Sequence, residues 1–254
     1  MISKLQSYHR IDNQTSSMST QEKIIREFKK KFGIHLVAGK DKLEFDMGYN
    51  RADEEKANNY VESFLGDELS IYSSKVLKKS KLSRIVLCKN LASQGEKKDG
   101  LAHLHWLGFT WFLGNQIILD VDQQTKTYAR LIIHHELYHL IDSVDDFNGL
   151  VDNDWKKLNP PKFKYDDDLP PNQKARGNCG FVSTYSRKAV HEDKAEIYSR
   201  MIVDYKGIEK HSRHDSVLNA KMHRMKELMK AFSSEFDDQF WNARAKASTA
   251  VPFW

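Results

Sequence analysis

Two histidines and a glutamate lie close together near the middle of the 254-residue chain, in the run His135-Glu136-Leu137-Tyr138-His139. On a helix, residues four positions apart share a face, with their Cβ atoms about 5–6 Å apart. Two imidazoles at that spacing can bind one zinc ion, which takes histidine nitrogens at about 2.0–2.1 Å. Glu136 lies one residue further round the helix, where its carboxylate can accept a proton from a metal-activated water. The run therefore predicts a metal site with its own general base.

A catalytic zinc site also needs a third protein ligand and one open coordination position. In the pattern H-E-x-x-H-x-x-G-x-x-H, a glycine and a third histidine would follow, but this chain has Asp142 and Asp145 there. The best remaining candidate is Glu192, near the start of a helical segment at 190–205. Glu196, one turn further along, would accept a hydrogen bond from a ligand imidazole. The same acidic cluster would also arise if these residues only compensated the helix dipole.

Three other polar residues lie beside these motifs. Asp142, one turn beyond the second histidine, either bonds to a ligand imidazole or is a surface charge. His134 points to a different face of the helix, so we expect it to pack against a neighbour or lie at the surface. His191 adjoins Glu192, but at helical spacing we expect it to face elsewhere.

Hydrophobic periodicity and turn residues predict the elements that position these side chains. Helices are predicted at 21–31, 125–144, 190–205, 215–232 and 235–246, with a helical segment at 52–79 that bends near Gly66. Strands are predicted at 34–37, 84–88 and 116–121. Strands and helices mix in the first half and helices dominate the second, which is typical of an α+β fold. We expect a loose leader at 1–18 and a single domain at 19–254.

The composition is that of a folded globular protein, with 40% hydrophobic and 30% charged residues. The net charge is +5, and the lysine runs lack interleaved aromatic residues. Such runs are typical of solvated faces rather than of a nucleic-acid surface. No apolar run approaches the roughly 18 residues that a membrane-spanning helix needs. Neither a nucleic acid nor a membrane is therefore an expected partner.

The N-terminal residues and the cysteines bear on the compartment. Residues 1–15 lack the apolar core of a signal peptide, which favours a cytoplasmic protein or one exported by a signal-peptide-independent route. Cys88 and Cys179 are too few for a disulfide framework, so two unpaired thiols are expected.

Three segments together resemble a known family. They are H-H-E-L-Y-H-L-I-D at 134–142, G-F-V-S-T-Y-S at 180–186 and E-D-K-A-E at 192–196. This combination resembles the zinc-binding metallopeptidases of bacteria and fungi. It is also similar to the catalytic domain of anthrax lethal factor and to the Pro-Pro endopeptidases, which are gluzincins with a glutamate as third ligand. The likeness covers roughly residues 20–245, although its sharp motifs occupy only 134–196.

The resemblance implies a zincin-like fold, in which a small mixed sheet packs on the helix that carries the motif. It implies His135, His139 and Glu192 as ligands of one zinc ion per chain, with Glu136 as general base. It further implies that Tyr185, seven residues before the ligand glutamate, directs its hydroxyl at the oxyanion of the transition state. Otherwise Tyr185 is a packing aromatic at the end of a loop. The implied activity is hydrolysis of a peptide or protein substrate by a zinc-dependent endopeptidase.

Two features would shape the cleft of such an enzyme. In zincins, an edge strand near the motif helix pairs with extended substrate, and residues 115–121 are the candidate here. The proline-rich stretch at 157–173 could form a wall or lid.

Two other functions remain open. The chain could be a non-catalytic interaction module that keeps zinc for structure, although such a site has no need of a base at Glu136. It could also be a secreted effector or toxin protease that acts on one host protein.

Overall fold

The computed structural model describes residues 18–38, 47–93, 107–122, 125–145, 152–166 and 180–252. The expected leader, apart from its last residue, lies outside these ranges, as do Cys179 and residues 167–173 of the proline-rich stretch. Cys88 is a buried, free thiol. Among the helices of the described ranges, none is long and apolar enough to cross a membrane.

The chain alternates strands and helices before it becomes helical. The strands within the described ranges are β1 (His35–Ala38), β2 (Met47–Arg51), β3 (Arg84–Ser93), β4 (Gly108–Trp111) and β5 (Gln116–Asp120). The α-helices are α1 (Thr20–Phe32), α2 (Glu54–Tyr60), α3 (Gly66–Leu69), α4 (Ser74–Lys79), α5 (Lys126–Asp145), α6 (Asn153–Lys157), α7 (Val190–Val203), α8 (Tyr205–Ser212), α9 (Ser216–Phe232) and α10 (Asp238–Lys246). A π-helical turn, Val61–Leu65, joins α2 to α3, and this irregular turn lies immediately before Gly66.

The strands form one mixed sheet in the order β1-β3-β5-β4. β1, β3 and β5 run parallel, and β4 runs antiparallel beside β5. β3 is long enough to pair with β1 along its first half and with β2, antiparallel, along its second half. The expected α+β architecture is confirmed, with a small mixed sheet packed on α5 and a mostly helical second half.

The expectation that residues 115–121 form the edge strand is wrong. β5 lies between β3 and β4, and all five of its residues are buried. The consecutive apolar residues at its centre, Ile117-Ile118-Leu119, are typical of a strand covered on both faces. The strand at this end of the described sheet is β4, which is not among the strands predicted from the sequence.

The main core joins one face of the sheet to α5. Alternate residues of β3 and β5 belong to this core together with residues of α5: Ile85, Leu87, Ile117, Leu119, Ile133 and Leu137. α5 also contacts α7, so every residue from 133 to 141 is buried. A helix enclosed in this way must satisfy each polar side chain with a partner from the protein, because an unpaired polar group in the interior is costly.

His134 shows how one such residue is satisfied. It is fully buried, with Nε2 2.9 Å from Glu68 Oε2 and Nδ1 2.7 Å from Tyr72 Oη. Glu68 also accepts a hydrogen bond from Arg130, and Tyr198 Oη donates to Tyr72 Oη at 3.0 Å. Burial holds the pKa of His134 below its ordinary value despite the nearby carboxylate. His134 therefore packs as a neutral imidazole in a network that joins α3 to α5 and α7.

Glu68→Gln should lower the free energy of unfolding by about 2–4 kcal/mol, because it removes the anion that serves both His134 and Arg130 inside the protein. Urea unfolding of the metal-free protein, followed by circular dichroism, measures this loss. The matched control is Glu62→Gln, which changes an exposed carboxylate in the preceding helical turn. An equal effect of the two changes would contradict a role for the buried network.

Candidate metal centre

Three side chains from two helices converge between α5 and α7. His135 and His139 lie one turn apart on α5, and Glu192 lies in the first turn of α7. The two Nε2 atoms are 3.0 Å apart. Glu192 Oε2 lies 3.0 Å from Nε2 of His135 and 3.4 Å from Nε2 of His139. The structure thus brings together the three residues that the sequence suggests as ligands.

The donor set fits a zinc ion. A tetrahedral ion with donors at about 2.0–2.1 Å holds neighbouring donor atoms about 3.3 Å apart. The separations here are 3.0, 3.0 and 3.4 Å. Two imidazole nitrogens and one carboxylate oxygen also form one of the ligand sets of catalytic zinc, in which a fourth position is left for water or substrate. Little rearrangement of the three side chains is therefore needed for a zinc ion to bind.

Glu196 lies beside the first of the two imidazoles. Its Oε1 atom is 3.1 Å from Nδ1 of His135, although the angle is poor for a directed hydrogen bond. A carboxylate at Nδ1 favours the tautomer in which Nε2 is free to bind a metal. The position is the one expected for Glu196 from its spacing after Glu192.

Asp142 forms an ion pair with a lysine. Its Oδ1 atom accepts a hydrogen bond from Lys194 Nζ, Tyr138 Oη lies 3.5 Å away, and the charge of His139 also acts on it. Lys194 is only 3% exposed and has Asp152 as a second partner at 3.3 Å. A buried ammonium needs a counter-ion, and Asp142 and Asp152 together provide it for Lys194.

Glu136 contacts β4 and lies close enough to His135 and His139 for their charges to act on it. Thr110 Oγ1 lies 2.7 Å from Glu136 Oε2 and 2.8 Å from its main-chain oxygen, so one hydroxyl holds both groups. A Cβ atom added at Gly108 would lie 2.5 Å from Ile132 Cγ2 and 3.0 Å from Glu136 Cγ. β4 can approach α5 this closely only because position 108 is glycine. Neither Gly108 nor Thr110 is predicted as a site residue from the sequence, although a glycine inside a strand is a known sign of close backbone approach.

Burial and nearby charges shift the pKa values of the two carboxylates and of the imidazole in different directions. Burial would lower the pKa of His135, but its contacts with Glu192 and Glu196 outweigh that effect and hold the pKa well above its ordinary value. Burial would raise the pKa of Glu192, but the two imidazoles outweigh it and hold this pKa well below the usual range. For Glu136 burial dominates and raises the pKa. His135 and Glu192 therefore form an ion pair, and the carboxyl group of Glu136 beside them has a raised pKa and binds a proton readily.

Two further side chains stand at the rim of the centre. Tyr185 Oη donates to Glu192 Oε1 at 3.1 Å, and the Tyr185 ring lies 5.9 Å from the ring of His135. His191 Nε2 lies 3.4 Å from the same Glu192 oxygen, and its ring is 5.6 Å from that of His139. The expectation that His191 faces elsewhere is wrong. His191 lies in the first turn of α7, so no earlier turn of the helix stands between its side chain and that of Glu192.

An exposed apolar turn borders the centre on the β4 side. Phe112 and Leu113 follow β4 directly and are 46% and 78% exposed. The Phe112 ring meets the His139 ring edge to face, with 6.3 Å between centroids. The rim is therefore apolar on the side of β4 and polar on the side of α7.

Comparison with known proteins gives the family. Residues 70–238 match the family model described as "Putative zinc-binding metallo-peptidase", which is more than half of the chain. The chain belongs to this family. The matched range contains His135, Glu136, His139 and Glu192. The expected membership of the zinc-binding metallo-peptidases is confirmed, and the finer likeness to lethal factor and the Pro-Pro endopeptidases stays a prediction.

A solved structure of a protein with the same description, from Bacteroides caccae ATCC 43185, is similar to this one. The TM-score is 0.57, with 15% sequence identity, over 91% of this chain and 94% of the other. At that identity the likeness concerns the fold alone. A search of curated proteins finds no match.

Zinc binding at pH 7 should release about one proton, because the metal needs a neutral imidazole and His135 holds a proton in the metal-free centre. The raised pKa keeps this proton bound at pH values where an ordinary histidine, with a pKa of about 6.5, has lost it. The apparent affinity for zinc should therefore fall steadily as the pH is lowered. Titration calorimetry in two buffers with different heats of ionisation counts the proton, and a binding heat that does not depend on the buffer would contradict the assignment.

Proposed function

We propose that the chain is a zinc-dependent endopeptidase that holds one zinc ion and hydrolyses peptide bonds by activating a water molecule. Membership of the zinc-binding metallo-peptidase family supports hydrolysis in general. The observation that carries the finer proposal is the convergence of His135, His139 and Glu192 next to a separate carboxylate, that of Glu136. A site that bound zinc only for structure would have no use for that carboxylate.

His135, His139 and Glu192 would hold the ion, with Glu196 keeping the His135 ring in orientation. When bound, zinc acts as a Lewis acid and lowers the pKa of a water ligand towards about 7. His135 and His139 are buried on α5 and Glu192 is half-buried in the first turn of α7, so the helices define the metal position before substrate arrives.

Glu136 would act as general base and then as general acid. Burial raises its pKa towards the working pH, which is where a proton carrier is most effective. Thr110 fixes the carboxylate through Oε2, which leaves Oε1 as the oxygen for the attacking water. The proton that Glu136 accepts is later given to the leaving amine, so the residue returns to its starting state.

Tyr185 would stabilise the oxyanion of the transition state. Burial and the negative charge of Glu192 raise the pKa of its phenol, so the group stays protonated and able to donate near neutral pH. In the metal-free structure that proton is donated to Glu192 Oε1. With substrate present, the same hydroxyl would turn to the oxygen on which negative charge develops, a contact realised only in the transition state.

An extended substrate would lie along β4. This strand is at the end of the described sheet next to α5, and Thr110 connects it to Glu136. A peptide added on this side would pass within reach of the base, whereas β5 lies in the interior of the sheet. The proposal moves the expected binding strand from residues 115–121 to Gly108–Trp111.

Glu136→Gln should retain zinc and lower the rate of peptide cleavage at least about 10²-fold, because the amide cannot accept the proton. Glu192→Gln should behave differently and lower the zinc affinity, since it replaces a charged ligand. Metal analysis of the purified variants and cleavage of a broad peptide library separate the two effects. Retained cleavage in Glu136→Gln, or a wild-type protein that binds zinc and cleaves nothing, would favour a non-catalytic zinc module.

Tyr185→Phe should lower kcat by about 10²-fold while KM and zinc affinity change little, since only the hydroxyl is removed. Steady-state kinetics on one library peptide measures the change. Tyr60→Phe is the matched control, because it removes a buried hydroxyl of α2 that has no hydrogen-bond partner among the described residues. A Tyr185→Phe enzyme with wild-type kcat would show that this residue only packs.

A further inference from the structure

One lysine of α9 is completely enclosed by the protein. Lys221 is fully buried, and its Nζ atom lies 2.7 Å from Asp193 Oδ2. The same Nζ atom donates to the main-chain oxygen of Gly180 at 2.8 Å and lies 3.8 Å from the centroid of the Phe181 ring. One ammonium group therefore joins α9 both to the first turn of α7 and to the segment 180–187 that precedes this helix.

α9 holds the beginning of that segment on both sides of one residue. The N–H of Gly180 donates to Asp215 Oδ2 at 2.7 Å, while its main-chain oxygen accepts from Lys221. A Cβ atom added at Gly180 would lie 2.2 Å from Val217 Cγ1, and the φ angle there is +86°. Only glycine permits both this backbone conformation and this close approach to α9. The start of the segment therefore has a defined position against α9.

The segment transmits this position to Tyr185. Residues 181–184 and Ser186 are buried. The N–H of Ser186 donates to Ser183 Oγ at 3.0 Å, and Ser186 Oγ donates to the main-chain oxygen of Ser183 at 2.6 Å. Tyr185 lies between these two serines, at the start of a 3₁₀ turn. Because the serine contacts close the turn around it, the direction of the tyrosine side chain depends on where the segment is anchored.

The ion pair of Lys221 and Asp193 is explained better by geometry than by stability. Burial lowers the pKa of Lys221 and raises that of Asp193, so the interior disfavours both charges. Replacing a buried ion pair with uncharged residues is often neutral for stability, because desolvation offsets the attraction. The ammonium group nevertheless serves two acceptors at once, the carboxylate of Asp193 and the carbonyl of Gly180. It thereby fixes the separation of the two segments to which these acceptors belong.

We infer that Lys221 is a positioning residue that fixes where the Tyr185 hydroxyl stands relative to Glu192. The inference rests on the proposed peptidase function and adds to it a residue outside the zinc-binding motif. Asp193 is next to Glu192 on α7, and Tyr185 Oη lies 3.1 Å from Glu192 Oε1. A misplacement of about 1 Å can reduce the rate of an enzyme about 10²-fold. Lys221 therefore affects the reaction through Tyr185.

The test is a double-mutant cycle on kcat, in which one change is Tyr185→Phe and the other is the pair Lys221→Met and Asp193→Asn. The pair removes both charges together, so no unpaired charge remains in the interior. It should lower kcat of the zinc-loaded protein about tenfold with little change in KM, because it displaces a hydroxyl that acts in the transition state. In the Tyr185→Phe background, the same pair should lower kcat less than about twofold, since residues that act through one contact are not additive.

Two measurements without substrate show whether the change is local. The amide oxygen at position 193 can still accept hydrogen bonds from Trp155 and Tyr165, so the zinc affinity should change little. In the metal-free protein, amide hydrogen exchange of residues 180–186 should become faster, because the segment has lost one of its anchors on α9. Mass spectrometry of peptic fragments measures this exchange.

Glu68→Gln is the matched control, because it disrupts a different buried network of charges, one that contacts α5 through His134. Exchange of residues 180–186 should stay at the wild-type rate in this variant. Any effect on kcat should be the same with and without Tyr185→Phe, since a general loss of stability does not act through the phenol.

Asp215→Ser tests the same anchor from the other side of Gly180 and covers the case in which the paired replacement does not fold. Serine still caps α9, but its single oxygen replaces two that now serve Leu218 and Gly180 separately. The variant should again show faster exchange of residues 180–186 and a loss of kcat that Tyr185→Phe abolishes.

The outcomes separate the inference from the function on which it rests. An equal loss of kcat in both backgrounds, or unchanged exchange of residues 180–186, overturns the positioning role and leaves the peptidase intact. If the zinc-loaded wild-type protein cleaves no peptide of a broad library, the peptidase proposal fails, and the role of Lys221 in the reaction fails with it.

Discussion

A helix whose middle part, residues 133–141, is buried on every side imposes the main constraint on this structure. α5 lies between the sheet and α7 and still carries five polar or charged side chains in fewer than three turns. Each of them needs its own partner, because the interior offers no water to take its place. The partners come from three other elements: Glu68 from α3, Thr110 from β4, and Glu192, Lys194 and Glu196 from α7. The demands of one helix thus help to position the three elements that contact it.

α7 provides a partner for the imidazoles of α5 from a pair of adjacent acidic residues whose side chains point in different directions. Glu192 turns towards the imidazoles, whereas Asp193 is fully buried and accepts hydrogen bonds from Trp155, Tyr165 and Lys221. Those three contacts attach α6, the segment after it and α9 to the first turn of α7. Because neighbouring residues of a helix turn share one backbone, fixing Asp193 also fixes the direction in which Glu192 points. The metal ligand is held by anchoring the residue beside it.

The parts of the centre that could be predicted are those set by local spacing. The i and i+4 histidines and the two glutamates one turn apart follow from helical geometry, and the structure places them accordingly. Thr110, Asp142 and His191 could not be placed in this way. The position of Thr110 depends on a strand that pairs through tertiary contacts, that of Asp142 on a lysine 52 residues away, and that of His191 on where α7 begins. Periodicity describes a helix face, but it does not say what lies opposite that face.

Two glutamates of this fold have different chemical properties although their side chains are identical. Glu136 and Glu192 are both largely enclosed, so burial alone would raise the pKa of each. Glu192 accepts hydrogen bonds from the imidazoles, and its pKa falls. Glu136 is hydrogen-bonded to the neutral hydroxyl of Thr110, and burial outweighs the charges of the imidazoles, so its pKa rises. An ionised carboxylate is suited to hold a cation, and a carboxylate with a raised pKa is suited to carry a proton. The assignment of ligand and base follows from which neighbours each glutamate has.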